Sequence, residues 1–282
     1  MLKFILETYS HCRRRWFYGL MSLVVAFGVI LGTPSRSQAI PWIDLIFRGI
    51  QIIQISSLSD NQEVELGGQI NDEIIGGEFS LYNNDAVADY VDEVGQGLIP
   101  YSTRTDIPYV FQVVNSDQIN AFATMGGYVY VTTGLLAAAD NEAQLASVLG
   151  HEIGHIAARH AVKQMRDMAI ASGVATAAGL DRNTAVSIGV ELAIRRPNSR
   201  EDEYEADELG LDNMREAGYA PSAMVAFMEK LLGEGSVPTF LSTHPDTEDR
   251  ITALNRAIDP ATADVGKGLD ASAYAAATSP LN

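Results

Sequence analysis

Thiol chemistry is almost absent from this chain: Cys12 is the only cysteine among 282 residues. It precedes an apolar run that reads as a leader, so the remaining chain would hold no thiol. That excludes disulfides and a cysteine nucleophile, and it suits an oxidising compartment. Positive charge is scarce too. Nineteen Lys and Arg stand against 36 Asp and Glu, a formal net charge of −17, and from Ile40 onward the balance is 14 against 35, or −21. Such a chain lacks the cationic face that nucleic acid requires, so nucleic acid is not an expected partner. Attraction to anionic lipid would have to be hydrophobic. Composition is otherwise ordinary, with 47% hydrophobic and 20% charged residues, enough for one large core or two small ones.

Arg13, Arg14 and Arg15 precede the apolar run from Trp16 to Gly32, and Thr33, Pro34 and Ser35 break it. Ser37-Gln38-Ala39 is a small-x-small cleavage signal. Residues 1–39 therefore read as a secretory signal peptide, with an uncleaved membrane anchor as the alternative. Residues 40–58 follow as an apolar amphipathic helix, with Trp42, Leu45, Ile46, Gly49, Ile52 and Ile53 at helical spacing. It packs against the body of the protein or docks on a membrane surface.

Residues 59–98 alternate acids with Leu66, Ile70, Ile74, Val87, Tyr90, Val91 and Val94. This predicts two helices, broken at Gly76-Gly77 and ended near Gly95 to Pro100. The period then changes. Tyr109 to Val114 is a strand, Phe122 to Met125 a second short one, and Tyr128 to Thr133 a third. The sheet either lines a cleft with its edge, where an extended substrate could add a strand, or is ordinary core.

The next helix starts at Asp140 or Asn141, with Gln144 placed for a capping box. It carries the pattern H-E-x-x-H at His151, Glu152 and His155. One turn apart, the two imidazoles share a face and can hold one zinc ion. Glu152 can reach a water on that metal and take its proton. Gly154 inside the helix costs about 1 kcal/mol relative to Ala, which a close approach by another element would explain. His160, five residues past His155, lies about 140° around the helix and cannot share the metal. A structural or solvated role is expected for it.

Ala169 to Ile194 reads as a small-residue helical hairpin broken near Gly179 to Asn183, or as a cover over the cleft. Ser199 is a plausible helix cap. The acidic run that follows looks solvated, but its register says otherwise. Glu203, Asp207, Gly210, Leu211 and Met214 share one face, and the last two belong in the core. A buried carboxylate needs a partner, and a divalent cation would supply it. Glu203 is therefore the expected third zinc ligand, with Asp207 placed to hydrogen-bond the outer nitrogen of a ligating histidine. Glu205, about 200° from Glu203, should face solvent. Three protein ligands leave a fourth position open for water, the mark of a catalytic zinc.

A helix from Ser222 to Leu232 precedes a loop carrying His244. That histidine is a surface or capping residue, or it enters the cleft to steady an oxyanion or to occupy the open metal position. Asp246 or Thr247 can cap a last helix reaching Ile258, where Arg250 is expected to anchor the corner by an ion pair. Residues 259–282, rich in Ala, Asp, Ser, Thr and Gly, read as a flexible C-terminal tail, disordered or loosely docked.

Three signatures in order then carry a resemblance: His151-Glu-Ile-Gly-His155, Ser199-Arg200 with Glu203-Tyr-Glu-Ala-Asp207, and Ser242-Thr-His-Pro245. They resemble the gluzincin metallopeptidases related to the CAAX prenyl protease, HtpX and the mitochondrial protease Oma, metallopeptidase family forty-eight. The likeness runs from about Ser59 to Ile258 and is nearest to soluble periplasmic members of BepA and LoiP type. It implies an α+β, mainly helical zincin domain over 59–258 with a small β-sheet beside the active-site helix. It implies one Zn2+ per chain on His151, His155 and Glu203, with Asp207 behind them. Glu152 would be the base, and His244 would stabilise the transition state or mask the metal. It further implies a periplasmic metalloendopeptidase acting on protein or peptide substrates in envelope quality control. The rival is a chaperone-like or adaptor protein with a latent or plugged metal site. Two departures stand: the transmembrane helices of the prenyl protease and HtpX are missing, and no tetratricopeptide period is visible after Ile258.

Overall fold

The computed structural model describes residues 58–171, 182–195, 197–233 and 237–281. The expected leader at 1–39, nearly all of the apolar stretch 40–58 and the centre of the 169–194 hairpin lie outside the described residues.

The first helix, α1 (Asp60–Glu73), begins with a reciprocal cap in which the Ser59 side chain and the Gln62 side chain each accept from the other's backbone N–H. It runs into a π-type turn at Ile74–Glu78, where Gly76 and Gly77 fall. The second helix, α2 (Asp85–Gln96), is capped by Asn84. Both expected helices of 59–98 are present.

Three strands form one sheet: β1 (Val110–Val114), β2 (Ala121–Ala123) and β3 (Tyr128–Thr132), in the order β1-β3-β2. β3 is central, parallel to β1 with Val110 opposite Tyr128, and antiparallel to β2 with Phe122 opposite Tyr130. Val129, Tyr130 and Val131 are all buried, so β3 is a core strand. The edge that borders the cleft belongs to β2. Glycine is required in the turn between them: Gly127 has φ +95°, and a Cβ there would lie 1.8 Å from the Pro108 carbonyl oxygen.

A short helix, α3 (Thr133–Ala138), leads to α4 (Glu142–Ala157), whose N-cap Asn141 accepts from the Gln144 backbone. Every residue of α4 from Ala143 to Ile156 is buried, so it is the central helix of the core. Its chief neighbour is α7 (Arg200–Glu216), capped by Ser199. The two backbones nearly touch. A Cβ on Gly154 would lie 2.7 Å from the Ala206 carbonyl oxygen, and one on Gly210 would lie 2.8 Å from the His151 nitrogen. This approach offsets the helix cost of Gly154 and sets the 203/207 face of α7 directly against the 151/155 face of α4.

Helix α5 (His160–Ala171) follows α4 at once, but Arg159, with φ +58°, breaks the rod between them. Helix α6 (Arg182–Arg195) packs on α1 and α5, with Gly189 against Ile70. Helices α8 (Ser222–Leu232), α9 (Thr239–Thr243) and α10 (Thr247–Ala257) follow, α8 packing on α4 and α10 on α7 and α8. A larger apolar cluster joins α2, β1, β3, α4, α7 and α8, and a smaller one joins Ile70, Phe122, Tyr130 and Met165 with α6. The architecture is α+β and mainly helical, with one small sheet beside α4.

Of the tail expected over 259–282, either disordered or loosely docked, the described residues lie against the body of the fold. Those residues include α11 (Ala271–Ala277), and the buried Tyr274 donates its hydroxyl to the Leu136 carbonyl at 2.7 Å. The Gly268 carbonyl accepts from the Ala143 N–H at 2.9 Å, in the first turn of α4. The tail's small polar residues suggest little core, but Tyr274 joins the larger apolar cluster and backbone bonds to distant elements complete the docking.

Candidate active site

The helix pair α4/α7 brings the motif residues together. Nε2 of His151 and Nε2 of His155 lie 3.0 Å apart. The Glu203 carboxylate reaches both, with Oε2 3.4 Å from the first and Oε1 3.3 Å from the second. His244, at the C-cap of α9, brings its Nδ1 to 3.2 Å from His151 Nε2 and 3.1 Å from Glu203 Oε1. All four side chains are buried, and their donor atoms lie within 4.8 Å of one another. The His244 ring stacks on Phe240 at 4.5 Å between centroids.

This set fits a zinc ion on two grounds. Donors about 2.0–2.1 Å from a tetrahedral zinc stand about 3.3 Å from each other, close to the separations above. Charge gives the second ground. Glu152, Glu203 and Asp207 are buried carboxylates, and among the described residues Arg250 is the fixed cation that pairs with two of them, Glu203 and Asp207. A divalent cation would balance the remainder.

Behind the donors, Asp207 Oδ1 lies 2.8 Å from His151 Nδ1. Arg250, fully buried on α10, grips the same carboxylate through Nε at 2.7 Å and a terminal nitrogen at 2.6 Å. Its other terminal nitrogen lies 2.6 Å from Glu203 Oε2 and donates to the His244 carbonyl at 3.2 Å. The ion pair expected of Arg250 is thus a hub joining three site residues. Asn198 donates to Glu203 Oε1 at 2.8 Å and is itself oriented by Gln164. Nothing in the sequence singles Asn198 out beyond its place before the cap Ser199. His160 is buried, with Nδ1 2.8 Å from His155 Nδ1 and Nε2 3.2 Å from Glu205 Oε2. The spacing argument for His160 assumed a continuous helix, which Arg159 breaks. Glu205 remains largely exposed.

Glu152 differs from its neighbours. It is 0% exposed, and neither carboxylate oxygen has a hydrogen-bond partner. Burial pushes its carboxyl above the usual range. Burial would raise Glu203 as well, but the surrounding histidines His244, His151 and His155 hold it well below its ordinary value. Burial opposes charging His151, yet the Asp207 and Glu203 carboxylates outweigh it and hold that ring at about 9. His155, where burial prevails, falls to about 3. Glu152, His155 and His244 open onto a cleft whose apolar walls include Phe122, Met125 and Leu192.

Fold and site together define a metallopeptidase of the gluzincin class, with two histidines and a glutamate converging beside a free carboxylate. The chain matches the pattern of peptidase family M48 over residues 85–258, and it belongs to that family. It is 33% identical over 220 residues to the beta-barrel assembly-enhancing protease of Escherichia coli K12, covering 72% of this chain and 45% of that one. It is 36% identical over 148 residues to the mitochondrial metalloendopeptidase OMA1 of Arabidopsis thaliana, covering 51% and 30%. With the metalloprotease LoiP of Escherichia coli it shares 28% identity over 217 residues, 73% of this chain and 84% of the relative. The chain therefore spans under half the length of the first of these relatives.

Proposed function

We propose that this metallopeptidase is a zinc-dependent endopeptidase, with one Zn2+ on His151, His155 and Glu203. The observation that carries this reading is donor spacing suited to a tetrahedral ion beside a buried Glu152 that makes no hydrogen bond, its Oε1 3.5 Å from His244 Nε2. Zinc there would supply Lewis acidity, acidifying a water and polarising the scissile carbonyl. Glu152 takes the proton of the attacking water and passes it to the leaving amine. Asp207 and Arg250 hold His151 and Glu203 in place. A substrate segment laid beside β2 would extend the sheet and set an apolar side chain against Phe122, Met125 and Leu192. Chelation is expected to abolish hydrolysis of fluorescent casein, and one equivalent of zinc to restore it. Hydrolysis indifferent to the chelator would sink the zinc assignment.

The cellular role we infer is hydrolysis of misfolded or membrane-associated proteins in envelope quality control, on the periplasmic side. The leader read at 1–39 and the name of the Escherichia coli beta-barrel assembly-enhancing relative support it. Among the described residues, no helix is long and apolar enough to cross a membrane.

A second reading, a latent site, is favoured by the position of His244. Its Nδ1 stands at the corner that substrate and water need, close to both His151 and Glu203. His244→Ala is accordingly expected to raise casein hydrolysis. A fall of about 10²–10³-fold would instead assign His244 to the oxyanion.

A further inference from the structure

His160 lies outside the donor cluster, yet both of its ring nitrogens are engaged. Nδ1 faces His155 Nδ1 at 2.8 Å, while Nε2 faces Glu205 Oε2 at 3.2 Å and Asp202 Oδ1 at 3.5 Å. Of two facing ring nitrogens, one must donate and the other accept. The carboxylates decide which. An ionised carboxylate only accepts, so the hydrogen of His160 sits on Nε2. The Asp202 carboxylate is paired with the Lys163 ammonium at 2.5 Å. With the hydrogen on Nε2, the lone pair of His160 lies at Nδ1 and accepts. His155 therefore donates from its own Nδ1, and its Nε2 lone pair is turned toward His151 Nε2 and Glu203.

We propose that His160, held by Asp202 and Glu205, is a positioning residue that fixes the ring orientation and tautomer of His155 for metal binding. The inference rests on the metal-site reading above. It makes the two ligating histidines unequal. His151 leans directly on a carboxylate, while His155 leans on an imidazole that relays carboxylates one residue removed. The backbone is bent to permit this. Arg159 takes a left-handed conformation that a non-glycine residue adopts only when its surroundings hold it. Here the Arg159 guanidinium is tied to Glu63 at 2.9 Å and to the Leu58 carbonyl at 2.6 Å. That kink returns His160 to the outer side of His155.

The test compares the full chain with His160→Leu and His160→Asn, measuring zinc dissociation by chelator competition and the visible spectrum of the cobalt-substituted forms. Asparagine offers an oxygen near the place of Nδ1, and leucine fills the volume without an acceptor. His160→Leu is expected to bind zinc about 10–100-fold more weakly with an altered cobalt spectrum, and His160→Asn to recover most of the loss. Unchanged affinity and spectrum in His160→Leu would overturn the proposal, as would equal losses in both variants. If His160→Leu does not fold, Asp202→Asn replaces it: weaker zinc binding is the expected result, and unchanged binding overturns the proposal. If the unaltered chain takes up neither metal, the metal-site reading falls and this inference with it.

Discussion

Glu152→Gln is expected to lower peptide hydrolysis by about 10²–10⁴-fold while zinc content stays at that of the unaltered chain. Glutamine keeps the shape of the side chain, but its amide oxygen is far too weak a base to take the proton. No ligand contact depends on Glu152, since its two oxygens have no hydrogen-bond partner. Substrate should therefore still bind, and the loss should appear in kcat rather than KM. The same substitution should not destabilise the fold. A buried carboxyl pushed up by desolvation resists ionisation, so it weakens the native state as pH rises toward and through its folded pKa. A neutral amide at that position removes this pH dependence, and the zinc-free protein should melt no lower at pH 7 than the unaltered chain. Retention of full proteolysis would remove Glu152 from the mechanism.

Arg250→Met should have the largest effect on stability. The guanidinium is fully buried and pairs with both Asp207 and Glu203, so its loss strands two carboxylates in a dry interior. Breaking one side of a buried ion pair costs about 3–5 kcal/mol, readable in urea unfolding of the zinc-free protein. Excess zinc should recover part of that loss, because a cation bound at Glu203 replaces one of the missing contacts. Adding Asp207→Asn to Arg250→Met should recover another part by removing a stranded charge. An Arg250→Met protein as stable as the parent would mean that the hub holds nothing together.

Much of the site could be read from residue order alone because its key geometry is local. His151 and His155 are one helical turn apart, and Glu203 falls on the face that Leu211 and Met214 turn to the core. Periodicity reports such relations directly. Arg250 was expected to form an ion pair, but its partners lie 43 and 47 positions away on α7, and no local pattern encodes a contact across that distance. His160 was obscured for another reason: neither glycine nor proline marks the break at Arg159, so the helix seemed to run on. The C-terminal residues left disorder and docking both open through composition. Alanine, serine and aspartate suggest disorder, yet Tyr274 and the Gly268 carbonyl dock the segment through contacts that composition cannot reveal.

The bond from the Gly268 carbonyl to Ala143 has a practical corollary. The family pattern stops at 258, but the start of the rod bearing both imidazoles is pinned by a loop ten positions beyond it. A recombinant fragment trimmed to the pattern would keep every ligand and lose their anchorage, so the smallest self-sufficient catalytic piece is longer than the recognisable one.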